Sequence, residues 1–208
     1  MRTRVYIDGF NLYYGCLKHT PHKWLDVHAL CTMLLPRNQI ELVRYFTATV
    51  SARPNDPDQA TRQQTYLRAL ATSPAVTIHL GHFLTHPTTM PEAAAWQAGR
   101  YRPVQVIKTE EKGSDVNLAT FLLIDAFDDL YDCAVIVSND SDLKEPIAQI
   151  RNRFGKVIGL LNPQKTTSAA LRPLAHFIKP IRGGAVAASQ LPAQLTDASG
   201  VIRKPARW

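Results

Sequence analysis

Hydrophobic residues follow two different spacings along the chain, and these predict alternating strands and helices. Short apolar, β-branched or aromatic runs predict strands over residues 4–8, 40–50, 75–83, 104–108, 133–137, 156–163 and 176–181. Helical spacing or helix-start signals predict helices over residues 10–17, 24–35, 55–73, 114–128, 141–154 and, briefly, 171–174. Strands that alternate with helices in this way favour an α/β sandwich with a largely parallel sheet.

Two segments lack this periodicity. Residues 84–102 contain Pro87 and Pro91 and are predicted to form a loop or an excursion from the sheet. The stretch from Gly183 to the last residue is rich in Ala, Pro and Ser and is predicted to be a tail. The predicted organisation is therefore one domain over residues 1–182, followed by a C-terminal basic tail over residues 183–208.

Composition places the chain among ordinary globular proteins. Of its 208 residues, 45% are hydrophobic and 20% are charged, enough apolar content for a buried core. No apolar run approaches the roughly 20 residues that cross a bilayer, and Asp8 interrupts any signal-peptide core. Three scattered cysteines without CxxC spacing suggest buried free thiols in a reducing compartment. We therefore expect a cytoplasmic protein without membrane association.

The net charge of +7 favours a polyanionic partner such as nucleic acid. Much of this excess is local. From Lys179 onward there are five basic residues and one acid, Asp197, which leaves a surplus of +4 in that part of the chain. The rest of the chain is only mildly basic.

Carboxylates occur where predicted strands end. Asp8 ends the first strand, Asp140 follows the strand at 133–137, and Asp142 lies in the first turn of the next helix. In open parallel sheets, functional groups gather at the carboxyl ends of the strands. Asp115 lies one helical turn before Ala119, in line with the predicted inward stripe of its helix, so it also points toward this edge.

Four carboxylates at one edge would repel one another and raise each other's pKa. A hard divalent cation removes this conflict, since Mg²⁺ prefers carboxylate oxygens and retains waters for substrate phosphates. Such a site is suited to phosphodiester hydrolysis without a covalent intermediate. The sequence contains no GxSxG, P-loop or GxGxxG motif, and Phe10 stands where a haloacid-dehalogenase-like phosphatase needs a second acid.

Each acid also has a purely structural interpretation. Asp140 and Asp142, with Glu145 three residues later, fit a helix cap. Asp115 can complement a helix dipole, and Asp8-Gly9 can form a turn. A cap and a metal ligand are compatible roles.

Other polar clusters carry weaker signals. The acids at the end of one helix are interpreted as solvated surface: Asp125, Asp128, Asp129 and Asp132. The HxxHxxxH spacing from His79 is unsuited to zinc, because a strand cannot present residues i and i+3 on one face. Three basic residues are candidates for substrate binding: Lys112, close to Asp115, and Arg100 and Arg102, which lie among aromatic residues.

Three blocks together resemble the signature of the NYN domain family, LabA-like proteins of the PIN-like nuclease superfamily. They are YIDGFNLYYG (6–15), EKGSDVNLA (111–119) and VSNDSDL (137–143), and the resemblance extends over roughly residues 3–181. It implies a PIN-like Rossmannoid three-layer sandwich with a mostly parallel central sheet. Many members have the sequence SGDSD where this chain has SNDSD at residues 138–142, so Asn139 replaces a glycine. The larger side chain of Asn139 is expected to narrow the site.

The resemblance also implies a function, that of a metal-dependent ribonuclease that uses Mg²⁺ or Mn²⁺ and cleaves RNA, with endonucleolytic cleavage expected. By motif match, the metal-binding and catalytic acids are Asp8, Asp115, Asp140 and Asp142, with Asn11 and Ser138 as polar helpers beside them. The alternative is a non-catalytic RNA- or protein-binding regulatory module with a vestigial metal site. A homodimer is a further expectation for a small enzyme of this kind.

Overall fold

A seven-stranded sheet forms the centre of the protein, as seen in a computed structural model that describes residues 1–208. The strands lie in the order β4-β3-β2-β1-β5-β6-β7, and all are parallel except β4. They are β1 (Arg2–Asp8), β2 (Gln39–Ala48), β3 (Val76–Pro91), β4 (Pro103–Lys112), β5 (Cys133–Val137), β6 (Val157–Asn162) and β7 (Phe177–Pro180).

Helices cover both faces of this sheet. They are α1 (Gly9–Leu12), which continues as a π-helical turn (Tyr13–Leu17), α2 (Val27–Leu34), α3 (Gln59–Leu70), α4 (Ala93–Gln97), α5 (Ser114–Phe127), α6 (Lys144–Phe154) and α7 (Gly183–Ala188). Single 3₁₀ turns lie at Ser141–Leu143 and Arg172–Leu174. None of the helices combines the length and apolar composition needed to cross a bilayer.

Two hydrophobic cores form on opposite faces because side chains alternate along each strand. On β1, Val5 and Ile7 belong to the larger core with α2 and α3, whereas Tyr6 belongs to the smaller core under α5 and α6. All three side chains are fully buried. The three layers confirm the predicted PIN-like α/β sandwich with a mostly parallel sheet.

The predicted loop over residues 84–102 is wrong. Strand β3 continues to Pro91 and pairs antiparallel with β4 from His82↔Lys112 to Pro91↔Pro103, with α4 in the connection. Beyond His82 this part of β3 pairs only with β4, so its other edge is free. Prolines are tolerated in a strand with a free edge, and this is why Pro87 and Pro91 do not interrupt it.

The interpretation of Asp125 as solvated surface is also wrong. Its side chain is buried and accepts hydrogen bonds from Tyr6 Oη (2.7 Å) and from Arg44 Nε (2.8 Å). Arg4 lies 3.0 Å from the same carboxylate. Burial raises the pKa of Asp125, but the hydrogen bonds from Arg44, Tyr6 and Arg4 outweigh it and hold the pKa below its ordinary value. Sequence periodicity does not show this because Arg4 and Arg44 come from distant strands.

The segment predicted as a tail packs against the larger core. It contains α7 and a hairpin of β8 (Gln194–Asp197) and β9 (Gly200–Arg203), and Ile202 is 1% exposed. Trp24 Nε1 donates to the carbonyl of Pro192 at 2.8 Å, and Arg68 pairs with Asp197. The division at residue 182 stays a prediction, while the final segment is in close contact with the rest of the chain.

Candidate metal centre and adjoining cavity

The strand order changes direction between β1 and β5, and three carboxylates meet there. Successive strands proceed outward from β1 in one direction up to β4 and then from β5 in the other. Ligand sites of open α/β sheets lie at such a switch point, at the carboxyl ends of the strands. Asp8 ends β1, Asp140 follows β5, and Asp115 begins α5; one oxygen from each lies within 4.8 Å of the others.

Asp8 is the most enclosed of the three acids, at 6% exposed. Its carboxylate caps α1 by accepting from the backbone N–H of Asn11 at 2.9 Å, and it accepts from Ser138 Oγ at 3.0 Å. Burial raises the pKa of Asp8, while these two hydrogen bonds act against the shift and the charge of Asp140 adds to it. A Cβ on Gly9 would lie 2.8 Å from the carbonyl oxygen of Phe46, so only glycine fits directly after Asp8.

Asp140 acts as a cap as well as a member of the cluster. Its carboxylate accepts from the backbone N–H of Asp142 at 3.0 Å, and its own N–H donates to Ser138 Oγ at 3.1 Å. Ser138 therefore links Asp8 and Asp140 through one hydroxyl. Asp142 is exposed and lies outside the group of three, although its charge reaches Asp115.

Asp115 carries the clearest sign of charge conflict. Burial, the charges of Asp8 and Asp140, and then that of Glu111 raise its pKa from 3.8 to about 6. Glu111 Oε1 also accepts from the backbone N–H of Ser114 at 3.0 Å, and this caps the start of α5. Sequence reasoning missed Glu111, although it lies inside the quoted block 111–119.

Asn139 points away from the acids. Its Nδ2 donates to the carbonyl of Thr166 at 2.9 Å and to Gln164 at 3.2 Å, and its Oδ1 accepts from the N–H of Ser168. Its backbone N–H donates to Asn11 Oδ1 at 3.1 Å. Asn139 does not line the cavity beside the acids, so the expectation that it narrows the site is wrong. Its side-chain hydrogen bonds instead hold the loop after β6 in place.

A cavity of about 800 Å³ opens from the acid cluster. Beyond the acids, its walls are aromatic and basic: Phe10, Tyr13, Tyr14, Tyr45, Tyr66, Phe83 and Trp208, with Lys18, Lys23, Arg53 and Arg62. No histidine and no cysteine lines it. The basic residues escaped sequence reasoning because they lie in segments without a motif, and tertiary packing alone brings them together.

The three basic residues predicted to bind substrate are not brought to this cavity. Lys112 lies on the outside of β4, 3.7 Å from Glu110. Arg100 and Arg102 lie beyond the far end of the β3–β4 hairpin, and Arg102 pairs with Glu92. Nine residue steps along that hairpin separate the two ends, or about 30 Å.

The donor set fits a hard divalent cation. It consists of carboxylate oxygens alone, and Mg²⁺ binds such oxygens at about 2.1 Å, so opposite ligands lie about 4.2 Å apart. The oxygens of the three acids lie within 4.8 Å of one another, so small side-chain movements would bring them to the separations that one ion requires. A cation there would also relieve the repulsion that raises the pKa of Asp115.

Comparisons with known proteins give one named relative, one solved structure with the same fold and one matching family model. A Pseudomonas putida protein named 6-hydroxy-3-succinoylpyridine 3-monooxygenase HspA is 33% identical over 237 aligned positions, which cover 100% of this chain and 75% of that protein. A crystal structure of a Vibrio parahaemolyticus protein of unknown function, VPA0982, shares the fold with a TM-score of 0.55 and 18% identity, covering 88% of this chain and 93% of that one. The NYN domain model matches residues 2–181, and this chain belongs to the NYN domain family of PIN-like nucleases.

Proposed function

We propose that the protein is a divalent-metal-dependent ribonuclease that hydrolyses phosphodiester bonds within RNA. The observation that carries this proposal is the convergence of Asp8, Asp115 and Asp140 within 4.8 Å at the switch point of the sheet. Membership of a family of PIN-like nucleases supports the same chemistry. Asp142 is the fourth acid of the proposed set, and its exposed position suits contact through a water molecule.

Mg²⁺ or Mn²⁺ is the cofactor that we propose. When bound, such a cation lowers the pKa of a bound water and neutralises charge on a phosphate under attack. The chain's own contribution is to fix the ligands beforehand. Ser138 and the N–H of Asn11 hold both oxygens of Asp8, and Asp140 is held by its role as a cap.

The cavity offers no obvious route to a covalent intermediate. Its lining contains neither a thiol nor an imidazole, so the Ser and Thr hydroxyls that do line it, those of Ser114, Thr47 and Thr109, have no histidine beside them to act as a base. Hydrolysis by water therefore fits the residues present better than nucleophilic catalysis by a side chain.

A second candidate is an oxygenase that acts on a small heteroaromatic compound. The specific observation in its favour is the 33% identity, over the whole of this chain, to the protein named as a 6-hydroxy-3-succinoylpyridine monooxygenase. The cavity, at about 800 Å³, is within the size range of small-molecule sites. Turnover of 6-hydroxy-3-succinoylpyridine with consumption of O₂ would favour this candidate.

The deciding experiment is a cleavage assay on single-stranded and hairpin RNA with Mg²⁺, Mn²⁺ or EDTA. We expect metal-dependent cleavage that falls by at least about 100-fold in Asp8→Asn and in Asp140→Asn, because even residues that merely support a metal ligand contribute about 10- to 100-fold. Glu41→Gln is the matched control, since Glu41 is exposed on the amino-terminal part of β2 and forms no ion pair.

Two outcomes would contradict the proposal. Cleavage that persists in EDTA and in both variants would refute the metal mechanism. Tight RNA binding without cleavage in any metal would favour the non-catalytic binding module instead.

The remaining proposals concern the protein's setting. The three free cysteines, two of them buried, suit a reducing compartment, and we propose the cytoplasm. RNA is the proposed partner, and a homodimer is proposed on the exposed apolar face of α5, where Phe127 is 77% exposed.

A further inference from the structure

We infer that the cavity next to the acid cluster is a pocket for one unpaired nucleotide, with an aromatic wall for the base and Lys23 and Arg62 for a phosphate. The substrate class rests on the proposed ribonuclease function. The pocket itself depends on residues that take no part in the acid cluster, so it can be tested separately.

The cavity is lined by two chemically distinct sets of residues. Asp8, Asp115 and Asp140 form one set. Aromatic and basic residues form the other, in which Trp208 packs against Tyr66 at a ring-centroid distance of 5.7 Å. A nucleotide needs both an aromatic contact for its base and a cation for its phosphate, and the second set supplies both.

Tyr14 and Trp208 are the residues best placed to contact a base. Tyr14 is 57% exposed although it lies in the cavity wall, next to Tyr13 at a centroid distance of 5.3 Å. Trp208 packs against Trp24 and Tyr66, with ring-centroid distances of 6.4 and 5.7 Å. Stacking of one base on an aromatic side chain contributes about 1–3 kcal/mol and tolerates any sequence.

The basic groups of this cavity are only partly matched by nearby acids. Lys18, Lys23, Arg53 and Arg62 line it; of the five acids in the lining, three form the acid cluster, Glu111 caps the start of α5, and Asp56 remains. Arg62 pairs with Asp56, but Lys23 forms no ion pair and its Nζ donates only to the carbonyl of Thr20, at 2.6 Å. Burial and the nearby charge of Arg62 lower the pKa of Lys23. A bound phosphate would relieve this repulsion.

The shape of the site favours an unpaired nucleotide over a duplex. The basic groups lie inside a cavity that also contains the acids, and a base enters such a cavity only after it leaves its stack. The pocket also needs the last part of the chain. Trp208 lies outside the family match at 2–181, and it is positioned by a segment that packs on Trp24.

The test is calorimetric titration of the 208-residue protein with AMP, adenosine or inorganic phosphate, all in EDTA. EDTA removes any contribution from a cation at the acids. We expect saturable AMP binding, and binding of adenosine and of phosphate that is at least about tenfold weaker. A single-stranded oligoribonucleotide should displace AMP, and a blunt RNA duplex should not.

Two substitutions locate the ligand. Lys23→Gln should weaken AMP binding about tenfold or more, since hydrogen bonds to charged groups are among the stronger ones. Trp208→Ala should weaken the binding of both AMP and adenosine by a similar factor. Trp208→Phe should retain most of the affinity. Arg37→Gln is the matched charge control because Arg37 is exposed and precedes β2, at the opposite edge of the sheet. Thermal unfolding of each variant establishes that it is folded.

The outcomes separate the pocket from the ribonuclease proposal. AMP binding that is lost in Lys23→Gln and retained in Asp8→Asn supports the pocket, whether or not RNA is cleaved. RNA cleavage without AMP binding, or AMP binding that neither Lys23→Gln nor Trp208→Ala weakens, would overturn it. Displacement by the duplex as readily as by the single strand would overturn the preference for an unpaired nucleotide.

Discussion

Removal of one acid should make the metal-free protein more stable, and Asp115→Asn is the sharpest case. Burial and the charges of Asp8 and Asp140 raise the pKa of Asp115 from 3.8 to about 6. A carboxyl with a raised pKa binds its proton more tightly in the folded state. Its contribution to stability is therefore fully present below about pH 3.8 and is lost as the pH rises through about 6.

The magnitude follows from that shift. Taken at face value, it corresponds to roughly 3 kcal/mol at about 1.4 kcal/mol per pKa unit. Asp115 is exposed enough for solvent to screen much of this repulsion, so we expect about 1 kcal/mol. For a chain of this length, that is an increase of about 2–4 °C in the melting temperature of Asp115→Asn above pH 6.

The assay is thermal unfolding in EDTA from pH 4 to pH 8, with Glu41→Gln as a control at an exposed acid far from the cluster. The gain of Asp115→Asn should develop between about pH 4 and pH 6 and then level off. Added Mg²⁺ should stabilise the unaltered protein more than the variant. An equal gain at pH 4 and pH 8, or none at pH 8, would refute the argument from charge repulsion.

Three further predictions concern regions outside the acid cluster. Asp125→Asn should lower the free energy of unfolding in urea by about 3–5 kcal/mol, because it leaves two arginines without their buried partner; a loss below about 1 kcal/mol would contradict this. Asn139→Gly should release the loop at 163–168 and make it the first site cut in limited proteolysis, and an unchanged cleavage pattern would count against the fastening role. Removal of residues 183–208 should lower the melting temperature, since burial of Ile202 alone contributes about 1.5–3 kcal/mol; a truncated protein with an unchanged melting temperature would show that this segment adds nothing to the core.

The fold was readable from the sequence wherever local periodicity and tertiary context agree. The run at 133–137 is apolar throughout, and it forms β5, which is buried at every position. The β3–β4 hairpin was missed because Pro87 and Pro91 suggest a loop, and only the free edge of β3 makes them acceptable in a strand. Asp125 was missed for a related reason, since the arginines that neutralise it come from β1 and β2.

The acids of the candidate site were easier to predict than the cavity. Asp8 and Asp140 follow directly from the rule that functional groups gather at strand ends, and Asp115 follows from the helical stripe. No such rule identifies Lys23 and Trp208, because their position in the cavity depends on how α2, α3 and the final segment pack together. The direction in which the Asn139 side chain points could not be predicted from the sequence either. Its hydrogen-bond partners lie in a loop some 25 to 29 residues further along the chain.

The separate origins of the three acids have a consequence for when the candidate site is formed. One comes from β1, one from the start of α5 and one from the end of β5, and β1 and β5 are neighbours only in the assembled sheet. A nascent chain that ends before residue 140 lacks one of these acids, and a collapsed chain in which β1 has not paired with β5 holds them apart. The candidate cation site is thereby complete only in the folded protein. A fluorescent competitor for the proposed cation would consequently report the fraction of native molecules in a refolding mixture.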